Sequence, residues 1–112
     1  MKHIIAIIRP EKLDDVRHAL EKAGSSGLMI SEISGHGKQK GVVQQWRGEK
    51  YKVDLIPKIK LEVMIKDSEL DSIKKTIMEN ARTGEIGDGK MFISTVDEVV
   101  RIRTGEEGET AL

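Results

Sequence analysis

Between Gly84 and Met91 the sequence reads Gly-Glu-Ile-Gly-Asp-Gly-Lys-Met, one residue short of the phosphate-cradling pattern G-x-x-x-x-G-K-[ST]. Met91 stands where that pattern needs a magnesium-binding hydroxyl. The order of elements is also reversed, because a P-loop runs from strand to helix and this turn follows a helical pattern and precedes a strand. The stretch is not the P-loop of an NTPase. Its chemistry still suits an anion: glycines let the backbone approach closely and aim successive N–H groups at one point, and Lys90 adds a charge. The competing reading is an ordinary glycine turn with a solvated lysine. Arg101 and Arg103 alternate along a segment expected to be extended, which would clamp phosphate oxygens. Lys38 and Lys40 flank Gln39 in a second glycine-rich stretch, Gly35 to Gly41.

Other chemistries find little support. His3, His18 and His36 do not converge by spacing, and no H-x-x-x-H accompanies them. No serine or cysteine nucleophile has a plausible base beside it, and Asp14-Asp15 and Asp67–Glu69 read as helix-end charges. The absence of cysteine excludes disulfides, iron–sulfur clusters and cysteine zinc sites. With 19 basic and 19 acidic side chains, nothing asks for nucleic acid or an anionic membrane as partner. The apolar run Ile4 to Ile8 is too short for a signal peptide or a membrane span. A cytoplasmic protein without membrane insertion is expected.

The elements that position these residues follow from periodicity. Lys2 to Arg9 predicts a strand apolar on both faces, with Ile5 and Ile7 on one and Ile4 and Ile8 on the other. Glu11 to Ala23 predicts a helix buried through Leu13, Val16, Leu20 and Ala23 and stopped at Gly24. Leu28 to Ser34 predicts a second strand. Gly35 to Ile56 breaks the pattern and reads as a long loop. Lys58 to Ile65 alternates cleanly, with Ile59, Leu61, Val63 and Ile65 on one face. A second helix follows, capped by Asp67 or Ser68, with Asp71 three residues after Ser68 in the manner of a capping box, and buried through Leu70, Ile73, Ile77 and Ala81. Met91 to Val96 predicts another strand and Val99 to Ile102 a short extra one. This order is the ferredoxin-like βαββαβ sandwich, an α+β fold in one domain over 1–112. Its bare sheet face must be hidden, which suggests an oligomer.

Several motifs together resemble a known family. They are Thr83-Gly84-x-Ile86-Gly87-Asp88-Gly89-Lys90-x-Phe92, Arg101-Ile102-Arg103-Thr104-Gly105-Glu106, Gly35-x-Gly37-x-Gln39-Lys40-Gly41, Arg47-Gly48 with Tyr51, and Pro57-Lys58. From Ile7 to the tail the chain resembles the PII nitrogen-regulatory signal proteins, with the ammonium-transporter-regulating branch favoured. The resemblance implies a homotrimer with nucleotide sites between subunits, sensing ATP, ADP and 2-oxoglutarate. A mobile loop over about 37–57 would engage a target, most often an ammonium transporter, so that a cytoplasmic protein could associate with the membrane through it.

By the same resemblance, Met29, Gly37, Lys38, Gln39, Met64, Gly87, Asp88, Gly89, Lys90, Arg101 and Arg103 would form the nucleotide site. Gln39 would give an oxygen to Mg²⁺ on the ATP phosphates. Gln39, Lys40, Gly41, Lys58 and Gly87 would hold 2-oxoglutarate, with Lys58 on its distal carboxylate. Trp46, Arg47 and Tyr51 would meet the target, and Tyr51 is a possible modification site. Some positions depart from the pattern. Lys38 replaces an arginine, Met29 a threonine, and Trp46 a tyrosine, while Glu49 and Lys50 alter the flank of Tyr51. Alternatives are a regulator of nitrogenase or of a nitrogen-metabolism enzyme, a weak phosphate-hydrolysing enzyme, and a structural trimer that has lost its ligands.

Overall fold

A computed structural model describes residues 1–25, 27–36, 42–46, 49–53 and 55–112; over 42–46 and 49–53 it describes the backbone alone. Strand β1 is Lys2–Ile8, followed by a 3-10 turn at Pro10–Lys12 and helix α1 at Leu13–Lys22. Then come β2 (Met29–Gly35), β3 (Val42–Trp46), β4 (Glu49–Val53) and β5 (Ile56–Ile65). A second 3-10 turn, Asp67–Glu69, leads into α2 (Leu70–Ala81), and β6 is Lys90–Thr95. The main sheet is ordered β2-β5-β1-β6 and is antiparallel throughout. With β3 and β4 set aside, this is the ferredoxin-like topology expected.

The core lies between one sheet face and the two helices. Ile4, Ala6 and Ile8 of β1 and Ile59, Leu61, Val63 and Ile65 of β5 meet Val16 and Leu20 of α1 and Ile73, Ile77 and Ala81 of α2. Alternation fixes this face, since a slip of one residue would turn every one of these side chains outward. Each fully buried aliphatic side chain contributes roughly 1.5–3 kcal/mol. Leu13 and Leu70 pack at the edge of the core. Ala23, assigned to the buried stripe, is exposed because α1 has already ended in a turn. In that turn the Gly24 N–H bonds the Glu21 carbonyl at 3.0 Å and Gly24 takes φ +82°.

Three expectations are corrected. The stretch between β2 and β5 is not irregular throughout: β3 and β4 pair as a two-stranded antiparallel sheet from Val42↔Val53 to Trp46↔Glu49. The expected cap by Asp67 or Ser68, with Asp71, gives way to Glu69, whose Oε1 accepts the Lys66 backbone N–H at 3.1 Å because a 3-10 turn precedes α2. Val99 to Ile102 forms no strand. A single bridge joins Val100 to Glu107, and the chain turns back on itself between them.

The opposite sheet face carries Ile5 and Ile7 of β1, Met29 and Ile33 of β2, Met64 of β5 and Phe92 of β6, as the strand registers require. Met29 is 47% and Phe92 56% exposed, so the face lacks a cover in the single chain. His3 and Glu62 pair on it at 3.1 Å.

Candidate functional site

The glycine turn joins α2 to β6 in the helix-to-strand order that ruled out a P-loop. Gly84, Gly87 and Gly89 have φ of +90°, +105° and +96°. Gly89 is the tightest position. A Cβ there would lie 1.7 Å from the Ile7 carbonyl oxygen, so the turn is laid directly on β1.

Asp88 organises the turn from within. Its carboxylate accepts the Thr83 N–H at 2.9 Å, the Gly84 N–H at 2.8 Å, the Thr83 hydroxyl at 2.5 Å and Arg9 Nε at 3.1 Å. The Thr83 hydroxyl oxygen accepts the Glu85 N–H at 3.1 Å. The Thr83 hydroxyl above all, then the Gly84 and Thr83 amides and Arg9, hold the Asp88 carboxyl well below the usual carboxylate range against partial desolvation. These bonds use the amides of residues 83–85. Among the described residues, the N–H groups of Ile86, Gly87 and Gly89 find no acceptor, while that of Asp88 closes the hydrogen-bonded turn at 86–87. Consecutive unused donors in a glycine turn suit a phosphate.

Cations gather at the same end of the sheet. Lys60, Ile7 and Lys90 form one rung across β5, β1 and β6, so both lysines stand on the bare face beside the turn. Lys58 Nζ donates to the Gly87 carbonyl. Burial, and then the neighbouring Arg9 charge, push the Lys58 ammonium below its ordinary pKa, with Glu11 and Asp88 opposing. Met29 pairs with Glu62 and Met64 with His3, which puts both methionines on the bare face two residues along the sheet from the lysine rung and beyond.

The arginines near the C-terminus differ from expectation. Residues 101–105 form a hydrogen-bonded turn and not an extended segment, with the Gly105 N–H on the Arg101 carbonyl at 2.8 Å and Gly105 at φ +74°. Arg101 and Arg103 therefore do not line one face of a strand. Arg101 binds Glu106 at 2.7 Å and the Thr110 carbonyl at 3.1 Å, whereas Arg103 is exposed with no partner among the described residues. Gly37, Lys38, Gln39, Lys40, Gly41 and Arg47 lie outside the described residues. Trp46 and Tyr51 are placed only by backbone, opposite Glu49 and Gln44. The structure thus brings together Lys58, Gly87, Asp88, Gly89 and Lys90. It adds Arg9 and Thr83, to which sequence reasoning gave no role at the site: Arg9 reads there as the last residue of the first strand, and Thr83 only as the first residue of the family motif.

Residues 1–106 match the sequence profile of the family described as nitrogen regulatory protein P-II. The chain belongs to the P-II family. It is 54% identical over 112 residues to nitrogen regulatory protein P-II 2 of Methanothermobacter thermautotrophicus, covering all of this chain and 97% of that protein. It is 50% identical to nitrogen regulatory protein P-II of Pasteurella multocida and 49% identical to nitrogen regulatory protein P-II 1 of Escherichia coli, each over the full length of both chains. P-II proteins are regulators of nitrogen metabolism, so this chain is a signalling protein and not an enzyme. Among the described residues no helix is long and apolar enough to cross a membrane.

Proposed function

We propose that this P-II protein reports nitrogen status by binding ATP or ADP, with 2-oxoglutarate, beside the glycine turn. The observation that carries the reading is the set of N–H groups at Ile86, Gly87 and Gly89, unused among the described residues and flanked by Lys58, Lys60 and Lys90. Gly87 and Gly89 would present backbone donors to the phosphates, and Lys90 would neutralise them. The Asp88 carboxylate faces inward, so its part is to shape the turn. Met29 and Met64 give an apolar surface on the same sheet face for a base. Gln39 would supply Mg²⁺ on the nucleotide with a neutral oxygen, and Lys58, Lys40 and Gly41 would hold the dicarboxylate.

The bare sheet face takes further copies of the chain, making a homotrimer in which each site lies between subunits. Arg101 and Arg103 then reach a phosphate from their turn. In a cytoplasmic trimer the segment about 37–57, with Trp46, Arg47 and Tyr51, engages an ammonium transporter. Ligands bias that segment because they contact its base at Gln39 and Lys58. The test is sedimentation of the trimer with transporter-bearing vesicles. ADP should favour co-sedimentation, and Mg-ATP with 2-oxoglutarate should abolish it. Binding indifferent to all three ligands would refute the transporter reading and turn attention to a nitrogen-metabolism enzyme as target.

A further inference from the structure

We propose that Arg9 is a positioning residue for the glycine turn, holding it in its phosphate-ready shape through Asp88 and the Ile86 carbonyl. The inference rests on the nucleotide reading above and assigns the group that prepares that site. Arg9 Nε reaches Asp88 Oδ1 at 3.1 Å, and its terminal nitrogen reaches the Ile86 carbonyl at 2.9 Å. The two grips flank Gly87: one guanidinium holds the Ile86–Gly87 peptide by its carbonyl and the Asp88 side chain by its carboxylate, on either side of a glycine whose N–H is unused among the described residues. Asp88 passes the constraint on to the Thr83 and Gly84 amides.

Arg9 is itself held by its own neighbours in the chain. It precedes Pro10, which confines it to extended backbone, and it sits at φ −66° and ψ 141°. Its carbonyl also accepts the Lys12 N–H at 3.1 Å. The pair is largely shielded, with side-chain exposures of 16% for Arg9 and 24% for Asp88. A lysine could hold one of the two acceptors as a point charge but not both with the geometry of a fork.

Two measurements on the full-length protein test this. In the ligand-free protein, Arg9→Met should speed amide hydrogen exchange at Thr83 and Gly84 by about tenfold while β1 and β5 amides keep their protection. In equilibrium dialysis with Mg-ATP, Arg9→Met should weaken binding on the order of tenfold, and Arg9→Lys should recover part of it. The loss should shrink in an Asp88→Asn background, because Arg9 acts through Asp88. Unchanged exchange at Thr83 and Gly84 would overturn the proposal, as would additive losses in the double variant, which mean that Arg9 touches the nucleotide directly. A wild-type protein that binds no Mg-ATP would sink the nucleotide reading, while the exchange experiment would still decide the part played by Arg9. If Arg9→Met fails to fold, Arg9→Lys carries both readouts, and exchange identical to wild type in it overturns the proposal.

Discussion

Replacing Gly89 by alanine separates two costs that the turn imposes. The first is conformational: Gly89 sits at φ +96°, a region that costs a non-glycine residue roughly 1–3 kcal/mol. The second is steric. The new Cβ would fall 1.7 Å from the Ile7 carbonyl oxygen and 2.7 Å from its carbon. Ile7 cannot yield, because it is paired on both sides, with Lys60 of β5 and Lys90 of β6. The turn must lift instead, and at least one hydrogen bond beside it, worth roughly 0.5–1.5 kcal/mol, is lost. The two terms predict a destabilisation of about 1.5–4.5 kcal/mol. Gly84→Ala is the control, since Gly84 has φ +90° but nothing within 4 Å of its would-be Cβ. It should cost only the conformational part, roughly 1–3 kcal/mol, and less than Gly89→Ala. Urea unfolding of both variants at one fixed protein concentration gives the comparison. Equal destabilisation by the two substitutions would refute the close-approach argument. So would a Gly89→Ala protein within about 0.5 kcal/mol of wild type, the range of an ordinary surface substitution.

Further outcomes follow from the same geometry. The folded Asp88 carboxyl binds its proton less readily than the unfolded one, so its stabilisation is complete above the ordinary carboxylate pKa of 3.8 and is lost as pH falls below that value toward the folded pKa; an acid titration of stability should be shallower over that window in Asp88→Asn. Leu61→Ala removes a side chain with no exposure at the centre of the sheet and should cost about 2–5 kcal/mol in urea unfolding, while Ile102→Ala, at a fully exposed position, should change the single chain's stability by less than about 0.5 kcal/mol. Trp46 is the sole tryptophan, so its emission reports on the segment between β2 and β5 alone; it should shift when 2-oxoglutarate is added to the Mg-ATP-bound protein, and unchanged emission would show that the effector site and this segment are uncoupled.

Much of the fold is legible in the sequence because burial there is periodic. Ile59, Leu61, Val63 and Ile65 alternate without interruption, and Ile73, Ile77 and Ala81 repeat at helical spacing, so solvent exclusion alone specifies both elements. The β3–β4 pair escaped that reading because its residues mix charge, amide and apolar side chains without a clean period. The two residues Arg47-Gly48 between Trp46 and Glu49 were its signal, a hairpin-length connection containing glycine. The Arg101-Ile102-Arg103 alternation suggested a strand, but Gly105 permits the turn that folds this segment back. At the site, Gly87, Gly89 and Lys90 could be named from residue type, and Lys58 from the family resemblance. Arg9 could not, since its partner Asp88 lies 79 residues away and only the sheet register brings them together.

Calorimetric titration of Mg-ATP into the wild-type protein and into Lys90→Ala tests the central claim most directly. The account predicts saturable binding to the wild type, binding weakened at least tenfold in Lys90→Ala by loss of the charge beside the turn, and 2-oxoglutarate binding only once Mg-ATP is present. No heat of binding in the wild type, or equal affinity in Lys90→Ala, would contradict a nucleotide site at the glycine turn.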